Sequence, residues 1–371
     1  MSDVVLVGGY RPDGLRSMED YSRQLHSHLR STDISSEMIH PIPLLGRRLP
    51  GRGAGKVRTT LRELDRFVVT PLAWMARKFQ VLHITDHANA FLLRHLTYRR
   101  AIVTVHDLVP LLLATGRLRG PKQSLKRRYL VHLSMTALSR ADAVVCVSQT
   151  TKHDLKTLLG IEPSKILVIE NMPFQTVWSP LPSKVDSLRR ELRVQDQDKI
   201  ILHVGSNIFR KNRINVIKVF CLLARNRRNV RLMLVGPPLD KSESEIVPAA
   251  LMDRIVVRHN ISPDDISAVY AISYVMLFPS IYEGFGLPIL EAQSCGLPVV
   301  CSNGGALPEV ASDGAIICDP YNVAELADAV EMLFDCHERR QLLIERGYRN
   351  LQRYNNDLWW NKYFVLYKGL I

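Results

Sequence analysis

The chain has 371 residues, 46% hydrophobic and 23% charged, with six cysteines and a formal net charge of +13. That composition excludes a disordered chain, a fibrous repeat and a disulfide scaffold, and the length suits two domains of roughly 100–200 residues each. Residues 1–200 hold 31 Lys+Arg against 18 Asp+Glu and the remainder holds 18 of each, so the excess lies in the first half and points to an anionic partner.

Apolar, β-branched runs at 4–7, 81–85, 101–105, 143–147 and 166–169 read as strands, separated by amphipathic helical stretches at 17–30, 61–78 and 122–140. Gly8, Gly9 and Gly14 follow the first run. The basic, Gly-rich stretch 46–58 has Pro50 and Val57 where a phosphate-binding loop needs Gly and Ser or Thr, and it follows no strand. A surface loop is expected there. His106 closes the run at 101–105, with Asp107 beside it to orient the ring. Residues 171–184 carry three prolines and no period, the mark of a linker. Strand runs resume at 200–204, 230–235, 254–257, 274–278 and 298–301. Short continuous strands alternating with helices predict parallel sheets covered on both faces, in two α/β domains.

Cys146, Cys221, Cys295, Cys301, Cys318 and Cys336 contain no C-x-x-C pair and read as thiols in a reducing compartment. The opening residues MSDVVLVGGY lack the pattern of a signal peptide, and no apolar run reaches the ~18 residues of a membrane span. A cytoplasmic protein is expected, with peripheral contact to an anionic membrane face open. Asp196-Gln197-Asp198 is formally a D-x-D metal pattern, but it precedes a strand and reads as a turn.

The stretch 275–300 carries most of the chemistry. A buried strand leads into SIYEGFG, then a helix opened by Pro288 and closed by Gly296. Strand, Gly-containing loop and helix start at the carboxyl edge of a parallel sheet make a ligand site suited to an anion such as a diphosphate. Gly284 and Gly286 permit close backbone approach. Glu283 and Glu291 would repel that anion but can each accept two hydrogen bonds from a neutral diol, as sugars present. Arg210 and Lys211 follow the strand at 200–204 and can neutralise a diphosphate at a second sheet mouth.

Glu283 and Glu291 within EGFGLPILEA, followed by CGLPVVCSNGGALPEV, resemble the E-x7-E region of family 4 glycosyltransferases. VTVHDLVP, ADAVVCVSQTTKHDL and ILHVGSNIFRKN fall in that family's order and spacing. The resemblance implies a GT-B fold, two Rossmann-like domains facing across a cleft, divided here as 1–173 for the acceptor, a linker at 174–197, 198–356 for the nucleotide-sugar donor, and a helix at 357–371 crossing back to the first domain. Trp359, Trp360 and Phe364 on that helix are expected to pack rather than anchor a membrane. The resemblance further implies that Glu283 meets the transferred sugar, Glu291 the ribose diol, and the backbone of Gly284, Phe285, Gly286 and Leu287 the sugar and phosphates. Arg210 and Lys211 would stabilise the leaving diphosphate, His106 would lie near the sugar, and Gly14 would belong to a loop closing over the donor. The nucleobase would be held by pocket shape around 260–262.

The chain departs from the family's common pattern at Ser206, where an Arg is frequent, and at Asn171-Met172-Pro173, where Asn-Gly-Val is common. A retaining, metal-independent hexosyltransferase without cofactor is expected, acting on a saccharide, lipid or lipid-linked acceptor. A nucleotide-sugar-binding protein without catalysis and a nucleotide-sugar epimerase are the alternatives. A nucleic-acid partner is not expected, since the cationic residues are not interleaved with aromatics.

Overall fold

The computed structural model describes residues 2–14, 16–46, 55–173, 180–259 and 261–371. The chain forms two compact units, Met1–Glu170 with Asn356–Ile371, and Asn171–Asn355.

The first unit is built on β1 (Val4–Val7), β2 (Ser36–Ile39), β3 (Lys78–Ile84), β4 (Thr97–Val105), β5 (Ala143–Cys146) and β6 (Ile166–Val168), in the order β2-β1-β3-β4-β5-β6. Every neighbouring pair is parallel. Val4–Val7 and Ala143–Cys146 are buried along their whole length, as strands covered on both faces must be. Helix Asn356–Lys368 also belongs to this unit. Trp359 is buried on it, and the half-buried Trp360 pairs with Phe364 and with His28.

The second unit holds β7 (Lys199–Val204), β8 (Val230–Val235), β9 (Ile255–Arg258), β10 (Val275–Phe278), β11 (Val299–Ser302) and β12 (Ala315–Cys318), parallel and ordered β12-β11-β10-β7-β8-β9. Alternate residues sort into two cores. Val275 and Leu277 pack on one face with Phe220 and Leu333, while Met276 and Phe278 pack on the other with Tyr270 and Ile289. Running outward from β7, the chain builds β8 and β9 to one side, then returns to place β10, β11 and β12 on the other. The order therefore reverses between β7 and β10, the position where open sheets of this kind bind ligands.

Several sequence expectations need correction. Two strands went unread, β2 with the sequence SEMI and β12 with AIIC. The stretch 61–78 is not one helix, since Gly55–Leu64 runs through a π-turn at Asp65–Val69 into Thr70–Trp74, and β3 already begins at Lys78. Within the stretch read as a basic loop, 47–54 lie outside the described residues, and residues from Gly55 onward are helical. The segment 174–197 contains helix Pro182–Glu191, whose Val185 and Leu188 pack on the core of the second unit. Residues 174–179 lie outside the described residues.

Candidate active site

The carboxyl ends of β7 and β10 lead into two loops that are joined by their backbones, with Ile281 N donating to Arg210 O at 2.7 Å. The first loop ends in the turn Phe209–Lys211, closed by Asn212 at φ 56°. Asn212 Nδ2 donates to Pro279 O at 3.0 Å and Pro320 O at 2.7 Å, so its amide ties the turn to both neighbouring loops. Next in the chain, buried Arg213 pairs with buried Glu243, Nε to Oε1 2.6 Å, and donates to Pro237 O and Pro238 O. Glu243 is itself held in a capping box with Asp240.

Glu283 sits between the two cations of this turn. Its Oε2 lies 2.5 Å from Arg210 Nη1 and its Oε1 2.7 Å from Lys211 Nζ. The residue is only 7% exposed. Burial pushes its carboxyl upward, but Lys211 and Arg210 outweigh this and hold it below its ordinary value. Lys211 reaches Glu283 across Gly205, where a Cβ would stand 3.3 Å from Lys211 Cδ, and its Nζ lies 4.8 Å from the Phe278 ring centroid. Gly304 and Gly305 let the loop after β11 back onto Glu283. Ala306 N donates to Glu283 O at 2.9 Å, and a Cβ on Gly305 would fall 2.3 Å from that oxygen.

Helix Leu287–Ser294 starts from Gly286 at φ 119°. A Cβ there would meet Leu307 Cδ2 at 2.7 Å, so both the angle and the space require glycine. Gly284 is buried, and Phe285 is buried edge-on against Tyr354, which leaves the backbone of this loop as its polar surface. Glu291 lies one turn into the helix and accepts from Tyr270 Oη at 2.7 Å. Burial raises its carboxyl, opposed by the Tyr270 hydrogen bond and by the charge of Lys211, which therefore acts on both carboxylates. Ser206 is half-buried in the loop after β7. The loop after β9 borders a cavity of about 480 Å³ lined by Arg258, His259 and Ser262, with Asn260 outside the described residues.

His106 and Gly14 belong to the first unit. His106 ends β4, and its Nε2 donates to Thr85 O at 2.9 Å. Its orientation thus comes from the Thr85 carbonyl and not from Asp107, whose Oδ1 accepts from Val109 N at 3.0 Å to open the next helix. Burial lowers the His106 imidazole below its usual value. Gly14 closes the turn Arg11–Asp13 at φ 67°, a left-handed angle suited to glycine. Asp198 accepts from Gln195 N in a turn, and Asp196 pairs with Arg189. Among the described residues no group of three or more His, Cys, Asp or Glu side chains could hold a metal ion.

Residues 184–350 match the model of glycosyl transferases group 1, and residues 20–172 match that of glycosyltransferase family 4. The chain is a family 4 glycosyltransferase. Its fold is GT-B. The O-antigen chain mannosyltransferase RfbU of Salmonella typhimurium is 26% identical over 57% of this chain and 52% of its own length. O-antigen chain mannosyltransferase B of Escherichia coli is 27% identical over 76% of this chain and 73% of its own. The chain thus spans about half the length of the first of these relatives. Anabaena HepE, solved in complex with UDP and glucose, superposes with a TM-score of 0.72 at 15% identity over 100% of both chains.

In this glycosyltransferase, sequence reasoning passed over Tyr270, Asn212, His203 and the Arg213–Glu243 pair. His203 is fully buried on β7 with Nδ1 3.0 Å from Leu277 O, and burial lowers it to about 4. A signal was present for one of them. Asp240 followed three residues later by Glu243 is a capping box that can be read without a structure. Tyr270 and Asn212 become visible only once the strand order places them beside β10.

Proposed function

We propose that this glycosyltransferase moves a hexose, of mannose or glucose type, from a nucleoside-diphosphate sugar to an acceptor hydroxyl, with retention of configuration and without a metal. The observation that carries this reading is the buried Glu283 held ionised between Arg210 and Lys211 at the β7/β10 reversal. An ionised carboxylate there accepts hydrogen bonds from sugar hydroxyls. The two cations, with the amides opening helix Leu287–Ser294, receive the charge that grows on the diphosphate as the glycosidic bond breaks. That positive field is in place before the reaction and is the reason for expecting metal independence. With both Glu283 oxygens engaged by Arg210 and Lys211, the departing phosphate oxygen takes the acceptor's proton on the face it leaves, which gives retention. Glu291 takes the ribose diol, and the names of the two O-antigen relatives favour mannose as the first sugar to try. The basic first half suits an acceptor bearing phosphate or lying at an anionic membrane surface.

The test is donor-dependent transfer by Lys211→Ala and Glu283→Ala, with GDP-mannose and UDP-hexoses compared. Each variant should lose about 100-fold or more in turnover, the scale of removing one preorganised charge contact. Turnover close to that of the unaltered protein from both variants would refute the assignment. Activity should persist in excess EDTA, and loss of activity restored by a divalent ion would overturn the metal-independent reading.

A further inference from the structure

Two helices of the second unit pack side by side, Arg213–Asn226 after β7 and Val323–Asp335 after β12. Their inner faces share one core, through Phe220 and Leu223 of the first and Leu326 and Leu333 of the second. They run in the same direction and stand level. At one end Asn215 Nδ2 donates to Pro320 O at 2.9 Å, just before the second helix begins. At the other end Arg227 follows the first helix directly. It donates from Nε to Glu331 Oε1 at 3.1 Å and from Nη1 to Asp335 Oδ1 at 2.9 Å, at the close of the second helix.

The outer faces repeat one pattern with opposite charge. The exposed residues of the first helix are Ile214, Lys218, Leu222 and Arg225, with Asn226 at its end, and those of the second are Ala324, Asp328, Met332 and Asp335. Both rows step by four, four and three residues, the spacing of a single helix face. Each row starts at the second residue of its helix. The rows are therefore in register, with Lys218 level with Asp328 and Leu222 level with Met332. One row carries only cations and the other only anions, with an apolar side chain before each charge. Leu222 and Met332 are each 42% exposed. Among the described residues neither Lys218 nor Asp328 forms an ion pair.

A two-fold axis parallel to these helices lays the cationic row of each copy on the anionic row of the other, with no change of level. Such an axis brings one patch together with itself, which only a self-complementary face permits. We propose that a second copy of this chain docks here, Lys218 against the partner's Asp328 and Leu222 against the partner's Met332. The balance of charge selects this occupant. An anionic lipid surface attracted by Lys218 and Arg225 would be repelled by Asp328 and Asp335 beside them, whereas a second copy meets all four. Two helices about 20 Å long and about 10 Å apart bury on the order of 600 Å² per copy, at the low end for a specific complex and in keeping with a reversible dimer.

Sedimentation equilibrium of the full chain at micromolar concentrations should show monomer and dimer in exchange, with the dimer weakened at high salt. Lys218→Glu and Asp328→Lys each set like charges against one another at two places in the dimer. Each should weaken association about tenfold or more. Mixing the two variants should restore it, because every mixed contact then opposes unlike charges, and the double variant should restore it within one chain. A folding defect in either variant cannot give recovery on mixing. A chain that stays monomeric throughout, a dimer indifferent to both substitutions, or single reversals that neither mixing nor doubling rescues overturns the proposal. A monomeric chain whose recovery with phosphatidylglycerol vesicles falls on Lys218→Glu gives the face to a lipid surface, and the second copy is then excluded.

Discussion

Glu283 and Glu291 lie near the same lysine, yet their surroundings drive their titrations apart. Two cations hold Glu283 ionised in a buried place, whereas burial raises Glu291 and the Tyr270 hydroxyl holds part of that rise in check. Removing the hydroxyl in Tyr270→Phe should therefore raise Glu291 further. If ionised Glu291 accepts from the ribose, the acid limb of kcat/KM for the donor moves to higher pH, while kcat at saturating donor changes little. A profile that overlays that of the unaltered protein would remove Glu291 from donor binding. Both carboxylates were legible in the sequence because their spacing around a Gly-containing loop and a helix start is local. Tyr270 was not, since it comes from the preceding helix and meets Glu291 only through the packing of the second sheet's face.

At the scale of elements, the central strands and the edges β6 and β9 were readable from continuous apolar runs, whereas β2, with Ser36 and Glu37 in its four residues, was not, nor was β12. The C-terminal helix shows a further kind of information that a linear reading lacks. It is joined to the first sheet by a buried polar chain in which Tyr367 Oη meets His83 Nδ1 at 2.6 Å and His83 Nε2 meets Thr104 Oγ1 at 2.8 Å. Tyr21 joins the same chain through Thr104 and through the Tyr363 hydroxyl. Burial lowers His83 to about 3, against about 6.5 for a histidine in an unfolded chain. The folded protein thus resists a proton that the unfolded chain accepts. This stabilisation is complete above about pH 6.5 and is lost as pH falls toward 3, at a slope of about 1.4 kcal/mol per pH unit in that window. His203, lowered to about 4, acts with the same sign in the second unit. Urea unfolding between pH 7 and pH 5 should show stability falling with acid, and His83→Asn should flatten the slope by close to one proton. An unchanged slope would mean that His83 is not neutral in the folded protein.

Across the whole molecule the charge is divided, with the surplus of 13 cations confined to residues 1–200. Part of that surplus neighbours exposed apolar side chains. Leu125 is 81% and Tyr129 65% exposed on successive turns of helix Leu125–Ala137, with Lys126 and Arg128 between them. A leucine left in water at a helix start gains nothing in the isolated unit, but it gains burial at a lipid interface while Arg128 meets an anionic headgroup, at about 1 kcal/mol per basic residue near the surface; Lys126 is already paired with Glu63. No helix among the described residues is long and apolar enough to cross a membrane, so attachment by this patch would be peripheral. Flotation should show the protein with phosphatidylglycerol vesicles in preference to phosphatidylcholine vesicles, and the preference should weaken at high salt because the exposed charges are screened. Arg128→Glu should reduce it more than Arg99→Glu, which alters an exposed cation on strand β4, away from Leu125 and Tyr129 in the chain. Equal recovery with both lipids would leave the basic half to the acceptor alone, and a loss caused equally by both substitutions would assign the attraction to overall charge instead of this patch.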